Sequence, residues 1–359
     1  RIMPDSVSRV LALEKGEIDL ITQSQMPYSE VARLKQNPNI YIPMNPTGHE
    51  AAAAFMYLFF NTKRAPFDNV LVRQGIAHAI NRDMLIERAV YGMAFPVTGP
   101  IPKSFAWAYN PDVHKYPYNV TKANELLDQV GYPRKADGTR FQTTWLYNPE
   151  EFDHAKVAEL AIQMLKDVGI DAKLRPMEEA AMEETFFVNW DFDLCALDAG
   201  TFFDPELGVR RMYDGTQATH RPYTNPTGYN NPVVNDLFDK AARSIDHDVR
   251  GPYYKQLSAI LMDDLPIFQL YEKIQVAGMK NNILNIPIAP YDMYMNSFAT
   301  VAYRAVQVTT TTAVQTTETK TTPVTPPQPD YTMYYAAVVI LVIIVAAGIY
   351  AYSKRKTKS

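Results

Sequence analysis

Apolar residues at Val7, Val10, Leu11 and Leu13 recur at helical spacing within the stretch from Ser6 to Lys15, and Gly16 follows where helices commonly end. Glu17-Ile18-Asp19-Leu20-Ile21 then reads as a strand, Val31 to Gln36 as a short helix and Ile40 to Met44 as a second strand, ahead of the polar break Asn45-Pro46-Thr47-Gly48. Tyr57-Leu58-Phe59-Phe60-Asn61 has the composition of a buried strand. From Asn69 to Tyr91, residues Val72, Ile76, Ala79, Ile80, Leu85, Ile86 and Val90 are spaced to face a core from one long helix, closed by Gly92.

Further on, Thr121 to Val130 predicts a helix with Thr121 and Glu125 near capping spacing and Gly131 at its stop. Phe141 to Tyr147 alternates as a strand. Glu150 to Val168 is amphipathic, with Val157, Leu160, Ala161, Met164, Leu165 and Val168 on one side. Ile170 to Arg175 and Phe192 to Leu197 read as strands, and Val233 to Ile245 and Arg250 to Asp264 as helices. The alternation of strand and helix predicts α/β layers, without an internal repeat.

The pattern changes near the carboxyl terminus. Val306 to Asp330 is rich in Thr and Pro with little to bury, and reads as an extended stalk or linker whose threonines offer sites for O-linked sugar. Met333 to Tyr352 carries no charge over about 20 residues, long enough to cross a bilayer. Tyrosines flank it at both ends, and Lys354, Arg355, Lys356 and Lys358 follow, so the expected span leaves the tail in the cytoplasm and the preceding chain outside the cell. An exported domain needs an upstream signal. The chain opens on Arg1 already close to a helix, so the amino-terminal part is expected to lie outside this sequence.

Composition adds bounds. About 305 residues precede the stalk, enough for two lobes. The net charge of −4, with both signs interspersed, gives no reason to expect nucleic acid. The single cysteine, Cys195, rules out an intramolecular disulfide and reads as a buried strand thiol.

Several stretches carry a resemblance. Pro4-Asp5, Arg9-Val10-Leu11-Ala12-Leu13-Glu14-Lys15-Gly16-Glu17-Ile18-Asp19, Pro66-Phe67-Asp68-Asn69 and Val72-Arg73-Gln74-Gly75-Ile76-Ala77-His78-Ala79-Ile80-Asn81-Arg82 are similar to words of one family. Gly99-Pro100-Ile101-Pro102, Ala123-Asn124-Glu125-Leu126-Leu127, Asp204-Pro205 and Gly228-Tyr229-Asn230-Asn231-Pro232 continue it in order over about residues 1 to 300. Together they resemble the extracytoplasmic solute-binding proteins of family 5 in ABC transport, the dipeptide, oligopeptide and nickel-type binders. Asp68 and Asn69 read physically as helix caps, with Arg73 and Arg82 on the polar side of the helix, so these signature residues are expected to be structural.

The resemblance implies an α/β, two-lobe periplasmic-binding-protein-like fold of the class C type, with a partial first lobe and one carboxyl-terminal transmembrane helix. Residues 1–44 would end lobe I, 45–265 form lobe II and 266–305 return to lobe I, followed by stalk (306–332), span (333–352) and basic tail (353–359). It also implies a membrane-tethered binder that delivers its solute to an ABC permease and its ATPase subunits. The stalk and span resemble archaeal tethered binders.

Relatives that bind dipeptides hold the amino terminus with an aspartate three residues before the Asp-Pro pair, where this chain has Thr201; Asp198 stands nearby. The arginine that pairs the peptide carboxylate is missing, and Asn148 lies near its place. Oligopeptide is therefore the expected solute and oligosaccharide the alternative, with a tethered sensor as a more distant one. Trp107, Trp145 and Trp190, with Tyr109, Tyr147, Tyr223 and Tyr229, are candidates to stack on sugars or line side-chain pockets. Trp145, Asn148, Asp198, Thr201 and Asp204 are the candidate ligand-binding residues. The histidines, His154 among them, are scattered singly, with no metal-ligand or nucleophile motif, so neither catalysis nor a metal or other cofactor is expected. Glu178, Glu179, Glu183 and Glu184 read as a solvated helical face, and Asn119-Val120-Thr121 as a lone glycosylation sequon.

Overall fold

The structure, a computed structural model, describes residues 2–3, 5–22, 25–44, 54–151, 153–284 and 302–303. The break at 45–48, the stalk at 306–332, the apolar run at 333–352 and the tail at 353–359 lie outside the described residues, as does 285–301. No helix among the described residues is long and apolar enough to cross a membrane.

The chain opens with α1 (Ser6–Glu14), which starts where the Asp5 carboxylate accepts the Ser8 amide at 2.7 Å. Next come β1 (Leu20–Ile21), α2 (Tyr28–Leu34), β2 (Ile40–Tyr41) and β3 (Ala54–Phe60). Helices α3 (Val70–Ala79) and α4 (Arg82–Ala89) precede β4 (Ala94–Phe95), α5 (Val120–Gln129) and β5 (Phe141–Tyr147). After α6 (His154–Asp167) and β6 (Ile170–Pro176), α7 (Glu179–Glu183) runs into a π-helical turn at Glu184–Val188. Strand β7 (Leu194–Gly200), the short α8 (Pro205–Gly208) and α9 (Arg210–Tyr213), and the longer α10 (Pro232–Ala242) and α11 (His247–Asp264) follow. β8 (Ile267–Lys273), β9 (Gly278–Lys280), β10 (Ile283–Leu284) and β11 (Ala302–Tyr303) complete the described elements.

The helix expected from 69 to 91 is two helices. Ile80 is extended, with φ −86° and ψ 116°, and the Asn81 side chain accepts the Met84 amide at 3.0 Å, opening a new helix. An asparagine that satisfies a free helical N–H competes well with continuation, while the apolar spacing survives because both helices pack on the same core. Asn119, not Thr121, caps α5 by accepting the Lys122 amide at 2.9 Å, so the sequon asparagine is already engaged.

A six-stranded sheet has the order β4-β8-β3-β7-β5-β6, with β3 antiparallel to β7 and β8, and β5 parallel to β6 and β7. Both faces of β3 are buried: Met56, Leu58 and Phe60 join one apolar cluster, and Phe55, Tyr57 and Phe59 another. Cys195 is buried on β7 in the second cluster. A three-stranded sheet, β1-β9-β2, gathers the two amino-terminal strands around the returning chain. The return was expected from 266, but β8 pairs with β3 and β4, so the chain passes between the sheets only after Lys273.

The signature arginines are fold residues, as expected, yet not on a polar side. Arg73 is 5% exposed and donates to the carbonyls of Phe67 at 2.6 Å and Leu265 at 3.0 Å, tying α3 to the end of α11. Arg82 donates to the Val97 carbonyl at 2.7 Å and covers the Phe268 ring.

Candidate functional site

The sheet pairing and the crossing bring distant polar residues together at one place. Asp153 and His154 stand at the start of α6, Asp198 near the end of β7, and Lys273 at the last position of β8. Lys273 Nζ donates to Asp153 at 3.0 Å and also to Asp198, while Tyr271 donates to Asp153 at 2.9 Å. His154 Nε2 lies 3.4 Å from Asp198 Oδ1. Tyr28, from α2, donates to the Ile274 carbonyl at 2.9 Å just beyond the lysine. Asp153 and His154 are 0% and 1% exposed, so these charges are held away from water and must compensate one another.

Burial works against all three charged partners, and their mutual attraction outweighs it. Burial lowers His154, but Asp198 and Asp153 raise it further, for a net rise above its ordinary 6.5. Burial raises Asp198, but Lys273 and His154 hold it well below 3.8. Lys273 is raised in the same way by Asp153 and Asp198. The ligand atoms of Asp153, His154 and Asp198 lie within 4.8 Å of one another, as in a metal site. The Lys273 ammonium already supplies the cation, so this donor set does not fit an added metal.

A pH dependence follows. The His154 contribution is whole below its ordinary 6.5 and is lost as pH rises through the raised folded value; that of Asp198 is whole above 3.8 and is lost as pH falls through the lowered one. Both are complete between about pH 4 and 6.5. Denaturant unfolding at about pH 6 and pH 9 checks the upper limb. The wild type is expected to lose stability toward pH 9 and His154→Gln to lose less; an equal slope in both would overturn the assignment.

The cluster forms part of the wall of a cavity of about 220 Å³, which Tyr28, Asn148, Glu151, Glu179 and Glu183 also line. Burial raises the Glu151 carboxyl above its usual range. An adjoining cavity of about 330 Å³ is lined by Phe59, Ala199, Phe202, Arg211 and Met212, and Phe187, Leu197, Asp198 and Tyr223 line both. A wider opening, bordered by residues from Ile2 to Gln25, shares Glu151 and Glu179 with the first cavity, so the two adjoin.

Of the five candidate residues, Asn148 and Asp198 line the first cavity, and Asp198 lines the second as well. Asn148 is 4% exposed, and its Oδ1 accepts the Glu150 amide at 2.9 Å. Trp145 does not line either cavity: its side chain is fully buried in the core, because the alternation of β5 turns it to the packed face. Thr201 is buried, with its backbone pressed against Gly208. Asp204 caps α8 and receives two bonds from Arg250, at 2.7 and 2.6 Å, a structural fork.

Among the other aromatics, Trp107 stacks on His247 at 4.1 Å and Trp190 on His220 at 3.9 Å, whereas Tyr223 reaches both cavities. The acidic run is not wholly a solvated face. Glu179 and Glu183 line the cavity, and Glu183 accepts the Tyr223 hydroxyl, which together with burial raises that phenol to about 12. Sequence reasoning missed Lys273, Asp153 and Phe187. The one signal for the lysine is a charged pair, Glu272-Lys273, closing a strand whose earlier residues are apolar apart from Gln269.

Comparison with known proteins is consistent with this geometry. The family model described as "Bacterial extracellular solute-binding proteins, family 5 Middle" matches residues 1–220. The glutathione-binding protein GsiB of Shigella flexneri is 28% identical over 307 residues, covering 81% of this chain and 55% of that protein. Heme-binding protein A of Haemophilus influenzae is 25% identical over 300 residues, covering 81% of this chain and 51% of that one. The solved structure of the ABC transporter-associated periplasmic binding protein DppA from Helicobacter pylori, in complex with the peptide STSA, superposes with a TM-score of 0.74 at 28% identity, over 85% of this chain and 56% of that one. The chain thus spans about half the length of the relatives it matches.

Proposed function

This chain belongs to the bacterial extracellular solute-binding proteins of family 5, and from that premise we propose that it is the solute-binding component of an ABC importer whose solute is an oligopeptide. The observation that carries the reading is the pair of adjoining cavities at the crossing between the sheets, the first bordered by Lys273, Asp198, His154, Asn148 and three glutamates, the second mainly by aromatic and aliphatic side chains. A peptide offers backbone donors and acceptors to the first and a side chain to the second. The peptide bound by the Helicobacter relative supports the same class of solute.

Asp198 already shares its charge with Lys273 and His154, which leaves it poorly placed to hold a peptide amine as a dipeptide anchor. Backbone hydrogen bonds distributed along a longer peptide fit this cavity better. Solute buried beside Lys273 would favour a closed arrangement, because that residue stands where the chain passes between sheets. The closed form would then engage a permease and its ATPase subunits, an act of binding rather than catalysis that calls on no cofactor. Residues 333–352 would anchor the protein in the membrane, and residues 306–332 would hold it off the surface, keeping it near that permease.

A thermal-shift screen of the intact protein tests the solute. Glutathione, di- to hexapeptides and oligosaccharides are offered, and a ligand at 100 times its dissociation constant adds about 2.7 kcal/mol to stability. A raised midpoint with tri- to hexapeptides is expected. A shift with oligosaccharides alone would replace the peptide reading with a sugar one, and no shift with any of them would favour a solute outside both classes.

A further inference from the structure

Resting on the peptide reading above, we infer that the second cavity is a selective subsite for one bulky apolar side chain of the solute. Its wall is mostly carbon, from Phe59, Phe187, Leu197, Phe202, Met212 and Tyr223, and the carboxylate that also borders it, Asp198, is held by Lys273 and His154. The polar group in it with the longest reach, Arg211, lies with its guanidinium 4.6 Å over the Phe202 ring and donates to the Gly200 carbonyl at 3.4 Å. A sugar ring entering here would leave hydroxyls facing carbon, whereas an aliphatic or aromatic side chain would not. A volume of about 330 Å³ suits a single large group.

Two walls of this cavity are held in costly backbone conformations. Phe202 has φ +56° and Tyr223 φ +61°, the left-handed region that a residue with a Cβ seldom adopts, and both project into the same space. Such strain persists where surrounding structure enforces it, and it concentrates at ligand clamps. Tyr223 is enforced by its hydroxyl bond to Glu183 and by its ring, 5.4 Å from Phe187. It thereby forms a partition with one side on the polar cavity and the other on the apolar one. Ala199, on β7, opens onto the apolar cavity alone, so the room there depends on its small side chain.

Calorimetric titration of the intact protein with Ala-Ala-Ala, and with tripeptides carrying Phe, Leu or Lys at each position in turn, tests the inference. At one position Phe or Leu is expected to bind about tenfold to a hundredfold more tightly than Ala, with Lys no better than Ala. In Ala199→Leu, which fills the cavity, that preference is expected to fall to near unity. If Ala199→Leu does not keep the wild-type circular dichroism, Tyr223→Ala, which removes the partition, is read instead and is expected to lower the ratio. Binding of Ala-Ala-Ala with no gain from Phe or Leu overturns the subsite and leaves the peptide reading standing, as does a preference for Lys. Failure of every tripeptide while longer peptides still shift the midpoint overturns the subsite alone; failure of all peptides overturns both.

Discussion

Replacing Lys273 with methionine is expected to lower the unfolding free energy by about 4 kcal/mol, because it leaves the fully buried Asp153 and the partly buried Asp198 facing each other without the lysine. Methionine keeps most of the apolar stem, so the loss measures the charge. Asp153 is fully buried and, among the described residues, keeps the Tyr271 hydroxyl at 2.9 Å; Asp198 keeps the His154 contact at 3.4 Å. The carboxylates must then take up protons or draw in water. The double variant Lys273→Met, Asp198→Asn removes one of the uncompensated charges and is expected to recover a substantial part of the loss. Denaturant unfolding of the wild type, both single variants and the double closes the cycle, and additive single effects would show that the ion pair contributes nothing. Solute affinity is expected to fall in Lys273→Met as well, since the same lysine lines the polar cavity where the chain passes between sheets.

Gly208→Ala is the second large effect, at about 3 kcal/mol of destabilisation. A Cβ at this position would stand 2.2 Å from the Thr201 carbonyl oxygen and 2.5 Å from its Cα, both backbone atoms that cannot swing aside. The turn leaving β7 would have to move, and with it Phe202, the wall of the apolar cavity. Gly75→Ala is the contrasting case. Its Cβ would meet Leu127 Cγ at 3.2 Å and the Ala123 carbonyl oxygen at 3.4 Å, contacts that a shift of a few tenths of an ångström relieves, and alanine favours the helix, so the net change is expected to stay within about 1 kcal/mol. Thermal unfolding of both variants checks the difference; equal midpoints would mean that the turn tolerates displacement.

Much of this fold was legible along the chain. The strands at 141–147 and 170–176, the amphipathic helix between them and the buried thiol on β7 all follow from local periodicity, which reports how far each residue lies from water. The family words were legible by resemblance, a separate route from periodicity. Periodicity also misled in an informative way: α3 and α4 share one apolar face, so the spacing ran on unbroken past Asn81, whose side chain ends the helix.

The site was legible only in part. Asn148 and Asp198 were reachable by counting along family words, and both line the cavity; Trp145 was not distinguishable from a cavity residue until the pleat of β5 turned it inward. Glu183 resembled any solvated acid until Tyr223, 40 residues later, donated to it. Lys273 finds Asp153 across 120 residues and Asp198 across 75, and no local pattern encodes such partners. The sequence by itself determined the α/β alternation and most of the strands and helices, because those depend on neighbours within a turn or a strand, and it carried the family through the resemblance of its words. The tertiary structure decided which charges compensate one another, which aromatics face a cavity and where the chain crosses between sheets, because each depends on strands paired from opposite ends of the chain.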